Sequence, residues 1–185
     1  MARRTIHLHV DFSSLDGDVI TDSLMAHREH LKGCGFKVPV KESDQPFLAA
    51  IEMRRDHKTH DLKRSQVEGA WAEICRRAHQ GRKTPLVSVP GFGTCTPTQV
   101  DLLLDSLAGL RVHLVATVPS VASPEAAETV DHTLAHWRSQ LARGRVTTVP
   151  VAPGDWRQAW QEYVAAVGLG ADPLPLVDVR SPISA

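Results

Sequence analysis

The sequence has few cysteines. Cys34, Cys75 and Cys95 are odd in number, far apart and free of any C-x-x-C spacing. They offer neither a disulfide framework nor a zinc knuckle, and read as reduced, packed thiols. No apolar run approaches the roughly 18–20 residues of a membrane-spanning helix. Excess charge is also missing: Lys plus Arg and Asp plus Glu both number 21, for a formal net charge of zero. Nothing in that balance favours a nucleic acid or an acidic membrane surface as partner. The opening MARRTIHLHV has two arginines, but no apolar signal core and no small-residue cleavage site, so a cytoplasmic location is expected. One more absence is local. Residues 11–18, DFSSLDGD, follow an apolar segment and precede a helical one, where nucleotide-binding α/β proteins keep a phosphate loop. They contain no lysine, a single glycine and three aspartates.

What is present is an alternation of two periods. TIHLHV (5–10), FKV (36–38), PLVSV (85–89), RVHLVATV (111–118) and RVTTVPV (145–151) read as strands, the longer ones suited to a sheet covered on both faces. Between them run helical stripes: Ile20, Leu24, His27 and Leu31; Val67, Trp71, Ile74 and Ala78; Val100, Leu103, Leu104 and Leu107. Val130, Leu134, Trp137 and Leu141 form a fourth, and Trp156, Trp160, Tyr163 and Val167 a fifth. Thr96-Pro97-Thr98-Gln99 is a capping box with proline at the first helical position; Ser123-Pro124-Glu125 and Asp155 with Gln158 resemble it. The alternation predicts a single α/β domain over residues 1–170. Its core is a mostly parallel sheet of about four or five strands flanked by helices. Residues 39–66 are polar apart from an apolar island at 47–53, which predicts a short helix and then a mobile surface loop. Residues 171–185 form a proline-rich tail, expected to pack as an extended strap or to fray.

The order of several short motifs resembles one family. His7-Leu8-His9-Val10, His27-Arg28-Glu29-His30-Leu31, Gly35-Phe36 and Pro39 follow an opening of the type HLHVGxxKTGTTxLQ and a helix NRxxLxxxGVxxP. Gly69-Ala70-Trp71, the Thr96-Pro97 helix start, Val112-His113-Leu114-Val115 with Thr117, and Arg145-Val146 with Thr148-Val149-Pro150 continue the pattern. The segment from Trp160 to Val167-Gly168-Leu169 resembles the closing helix. Over roughly residues 4–173 the chain is similar to the actinobacterial sulfotransferase-like proteins. The resemblance implies a P-loop nucleotide-hydrolase fold with P-loop-like topology. The positions that carry donor chemistry depart from it. Asp11 stands at the family's loop glycine, Ser14 at the lysine, Asp16 at the second glycine, and Gly17 and Asp18 at the hydroxyl pair. Pro119, Ser120 and Ser123 occupy the region that binds the donor's 3′-phosphate in the family. The expected function is therefore a non-catalytic binding or assembly module without a cofactor. Its partner would be another protein or a second copy of the chain. The alternative is a transferase of altered chemistry at the strand ends.

Ligands of open α/β sheets sit beyond the strands' carboxyl ends, which makes Asp11, Ser13, Ser14, Asp16, Gly17, Asp18, Gly91, Gly93, Cys95, Ser120 and Ser123 the candidate pocket residues. Asp16 or Asp18 is expected to cap the following helix in place of a phosphate. Gly91-Phe92-Gly93 reads as a tight turn or as a pair of anion-binding amides. Cys95, between that turn and a helix start, is in a setting that lowers a thiol's pKa. Ser88 lacks the G-x-S-x-G turn of a nucleophile. His132 and His136, four apart, and His57 and His60 have metal-like spacings but lie on polar faces, so no metal is expected. Apolar faces at 98–108 and 156–167 are the candidate interfaces.

Overall fold

Valine- and leucine-rich segments with few charges form strands buried on both sides. In this computed structural model, which describes residues 3–13, 19–169 and 174–176, there are five such strands. They are β1 (Thr5–Asp11), β2 (Phe36–Lys37), β3 (Thr84–Ser88), β4 (Arg111–Pro119) and β5 (Val146–Val151). All pairings are parallel, in the order β2-β3-β1-β4-β5. This is the expected single α/β domain with P-loop-like topology. The expectations for Ser14, Asp16, Gly17 and Asp18, and for the tail other than 174–176, fall outside the described residues.

Strand alternation divides the core in two. Ile6, Leu8 and Val10 of β1, with Val87 of β3 and Val112, Leu114 and Ala116 of β4, face one side. Four helices cover them: α3 (Gln45–Arg54), α5 (Ala70–His79), α6 (Pro97–Ser106) and α7 (Pro124–Gln140). On the other side α1 (Val19–Ala26), α2 (Arg28–Gly33) and α8 (Trp156–Ala166) pack on Leu86, Val115, Val149 and Val151. The center of this second face is polar, because His7, His9, Ser88, His113 and Thr117 project from the same side of β1, β3 and β4.

Two sequence expectations change here. The expected loop at 54–66 is built into a 3-10 turn at His57–His60 and a short helix, α4 (Arg64–Val67). Asp56 draws this segment together, taking Arg54 Nε at 3.0 Å and His60 Nε2 at 3.7 Å. The apolar face of 156–167 is covered by the protein itself: Trp160, Tyr163 and Val167 are buried in the second core. Trp160 Nε1 also donates to the Leu174 carbonyl at 2.7 Å, which holds residues 174–176 against α8. On α6 the capping box forms as read, and Val100, Leu103 and Leu107 are buried, but Leu102 faces outward and is 48% exposed.

Among the described residues, no helix is long and apolar enough to cross a membrane.

Candidate functional site

The strand order reverses at β1, which lies between β3 and β4, so the carboxyl end of β1 is the switch point at which such sheets place ligands. Asp11 is the last residue of that strand and pairs in register with Thr117. Its Oδ1 accepts from the Thr117 hydroxyl, from the Ser13 backbone N–H at 3.0 Å and from the Ser13 hydroxyl at 2.5 Å. The carboxylate is thus drawn back onto the sheet.

Behind it lies a buried chain of polar groups. His9 Nδ1 is 2.8 Å from Ser88 Oγ, and its Nε2 is 3.2 Å from Thr117 Oγ1. The proton order follows from chemistry. A carboxylate only accepts, so Thr117 donates to Asp11 and must accept from His9 Nε2–H. That leaves Nδ1 as the acceptor for the Ser88 hydroxyl. The imidazole is neutral in this arrangement, and burial pushes its pKa down to about 4 against a smaller opposing pull from Asp11. Ser88, His9, Thr117 and Asp11 resemble a nucleophile relay in outline. Yet Ser88 is only 1% exposed, and among the described residues it lines neither of the two spaces that meet at Asp11. The chain ties β3, β1 and β4 together.

Two spaces meet at Asp11. One, between the sheet, α1 and α8, is lined by His9, Asp11, Ile20, Pro90, Thr117, Trp156 and Ala159, with an internal volume of ≈ 10 Å³. That is about the room of one water molecule. The other is a groove of ≈ 590 Å³ between the 90–94 turn and α7; Phe12, Thr94, Thr129 and Thr133 line it beside Asp11, Gly91 and Gly93. Its hydroxyl protons are committed: Thr94 donates to the Gly91 carbonyl at 3.1 Å, Thr129 to that of Glu125 at 2.9 Å, and Thr133 to that of Thr129 at 3.1 Å. Among the described residues neither space is lined by a lysine or arginine, and Asp11 is the only carboxylate in both.

The glycine pair is explained by packing. A Cβ on Gly93 would lie 1.9 Å from the Asp11 carbonyl oxygen, and one on Gly91 would lie 2.7 Å from Ala50 Cβ. The 3-10 turn at Pro90–Thr94 is wedged between α3 and the end of β1, and only hydrogen fits at these points. Arg54 reaches the outside of the turn, donating to the Gly91 carbonyl at 3.3 Å and to Thr94 Oγ1 at 3.0 Å.

The structure brings together Asp11, Ser13, Gly91 and Gly93 and separates the other described candidates from them. Cys95 is corrected outright. It is 3% exposed, and burial pushes its thiol up to about 12, opposite to an activated cysteine. Ser123 is the N-cap of α7, accepting from Ala126 N–H at 3.2 Å, and the Ser120 N–H donates to the Val151 carbonyl at 2.9 Å. Neither serine lines the Asp11 groove. His136 is 3.1 Å from Asp101, and His60 faces Asp56. Sequence reasoning missed His9 and Thr117 as partners of Asp11. Their signal was present as polar residues on one face of strands that are otherwise apolar.

No family model, curated protein or solved structure matches the chain.

Proposed function

We propose that the chain is a sulfotransferase-like α/β module that has lost donor binding and acts by binding another protein. One observation carries this reading. At the end of β1, where a phosphate loop begins in the resembled family, stands a carboxylate held by Thr117 and Ser13, and among the described residues no lysine or arginine lines either space around it. A sulfated or phosphorylated donor would meet the like charge of Asp11 there. Among the described residues, the Thr94, Thr129 and Thr133 hydroxyls of the groove beside α7 donate to backbone carbonyls, and Asp11 is the only titratable group that lines it.

Isothermal calorimetry with a sulfonucleotide donor, its bisphosphate product and ATP tests the proposal. Each should give no heat and no thermal shift at millimolar ligand. Micromolar binding of the bisphosphate product would overturn it. The ≈ 590 Å³ groove favors a second reading, a transferase whose donor is uncharged and rests on the threonine-lined wall.

A further inference from the structure

Charge that sums to zero over the chain is sorted by the fold. All strands are parallel, so the segments that lead into them gather at one end of the sheet. These segments are 3–4 before β1, 32–37 through β2, 76–83 before β3, 105–111 before β4 and 138–145 before β5. They hold more than half of the 21 Lys and Arg, and a single acidic residue, Asp105. RRAHQGRK (76–83) and RSQLARGR (138–145) are the densest.

Part of this charge has a structural use. Arg4 and Lys37 donate to the last carbonyls of α5, where cations are favored. Glu73 pairs with Arg76 at 2.6 Å and Arg77 at 2.7 Å, and Glu29 with Lys32 at 3.3 Å. The remainder is not explained by helix ends. Arg111 begins a strand, and Arg82 and Arg143 stand in turns; all three are exposed, with no ion pair among the described residues. Arg3, Lys83 and Arg145 have no ion pair either.

Sheet order turns these residues into a row. Lys83 precedes β3, Arg3 and Arg4 precede β1, and Arg111 opens β4, whose N–H donates to the Arg4 carbonyl at 2.8 Å. Arg143 and Arg145 continue the row beside β4. Four strands about 4.8 Å apart make it roughly 15 Å long, the length over which one nucleic-acid strand places about four phosphates. Within it is a hollow of ≈ 400 Å³ lined by Arg4, His79, Gly81, Arg82, Gly109 and Leu110, with no carboxylate among them.

The surface around the row selects the occupant. Among the described residues the large exposed hydrophobic side chains are Phe47, Leu102 and Val121, and none lies in these segments. A protein interface needs an apolar center, and a membrane-surface element needs apolar groups to insert. Interfaces with nucleic acid are more polar and far more positive. With no exposed aromatic residue to stack on bases, the contacts available are to backbone phosphates, which arginine grips with paired donors. We infer that this end of the sheet binds the phosphate backbone of duplex nucleic acid, without reading its sequence, through the row from Arg82 and Lys83 to Arg143 and Arg145. The inference goes beyond the protein-binding reading and does not rest on it.

Fluorescence polarization with labeled DNA duplexes of about 20 base pairs tests it. Two unrelated sequences should bind within about twofold of each other, and affinity should fall about a hundredfold between 50 mM and 200 mM salt, the loss for about four neutralized phosphates. Arg82→Glu/Arg111→Glu and Arg111→Glu/Arg143→Glu should each weaken binding at least about tenfold. The control is Lys58→Glu/Arg157→Glu, two exposed cations outside these segments whose reversal changes net charge equally; it should cost less than about threefold. Thermal melts of the variants, all at exposed positions, show that the fold is kept. No binding at 50 mM salt, affinity indifferent to salt, or an equal loss in the control variant would each overturn the inference. So would tighter binding to vesicles rich in anionic lipid or to polyglutamate than to the duplex, which would make a membrane or an acidic protein the partner.

Discussion

His9 is held neutral by its surroundings, and that sets a pH dependence. Its folded pKa of about 4 lies below the ordinary 6.5, so between these values the unfolded chain binds the extra proton. Stability is therefore complete above pH 6.5 and falls as the pH drops toward 4, by on the order of 3 kcal/mol from this residue. His7, pushed down to about 4 by burial and by His113, acts in the same direction. Denaturant titrations at pH 5, 6 and 7 should show the slope, and His9→Gln should make it shallower by about one proton. An unchanged slope would remove His9 as its source. The cysteines make a second prediction at this scale. Cys34 is exposed, while burial raises the thiols of Cys75 to about 11 and Cys95 to about 12. Mass spectrometry after brief maleimide treatment at neutral pH should find Cys34 labeled and the other two unmodified until the protein is denatured.

The turn and helix that follow β3 show how single elements are fixed. Thr96 Oγ1 accepts from Gln99 N–H at 3.4 Å and Gln99 Oε1 from Thr96 N–H at 2.8 Å, which closes the capping box. Thr96→Ala should cost about 1 kcal/mol in a denaturant melt. The preceding turn tolerates less. Gly93→Ala would drive a Cβ into the Asp11 backbone, whereas Gly91→Ala meets side-chain atoms of Ala50 and Arg54. Both should be destabilizing, by about 1–3 kcal/mol or more: the Gly91 contact at 2.7 Å is with Ala50 Cβ, which moves only with α3, and the Gly93 contact at 1.9 Å with backbone demands the larger shift. Midpoints equal to wild type for both variants would show that the turn is not clamped between β1 and α3. At the far end of the sheet, Arg4 and Lys37 cap the C-terminus of α5. Arg4 donates to the carbonyls of Ala78, Gln80 and Gly81, and Lys37 to those of Arg77 and Gln80. Cations suit that end of a helix.

At the scale of the molecule, the two cores leave different surfaces. The α8 side closes on itself: its aromatic residues are buried, and residues 174–176 lie over Trp160. The α3–α6 side leaves Leu102 and, on α3, Phe47 at 44% exposure. An assembly contact is expected on the α3–α6 side. In sedimentation velocity at micromolar concentration, any self-association should be abolished by Leu102→Glu and unaffected by changes on α8. Self-association that survives Leu102→Glu would move the interface elsewhere.

Strand and helix positions were legible because they depend on local periodicity and caps. All five strands lie within two residues of their expected bounds, and the stripes from Val67 to Ala78 and from Trp160 to Val167 are buried. The absence of lysine from residues 11–18 was likewise plain in the sequence, since a missing residue type needs no structure to be noticed. Which side chains meet was not legible. His9, Ser88, Thr117 and Asp11 are separated by up to 108 positions and come into contact only because β1 inserts between β3 and β4. The environment of Cys95 was misread for the same reason: a position between a turn and a helix says nothing about the core that Phe92 and α6 close around it. Periodicity also assigns Leu102 no role, because one exposed leucine on an amphipathic helix is ordinary; its place beside Trp71, Met53 and Arg55 is a product of how four helices pack. Sequence determines the elements through short-range steric and hydrogen-bonding preferences, whereas burial, proton positions and grooves are set by contacts between distant segments, which only the tertiary structure supplies.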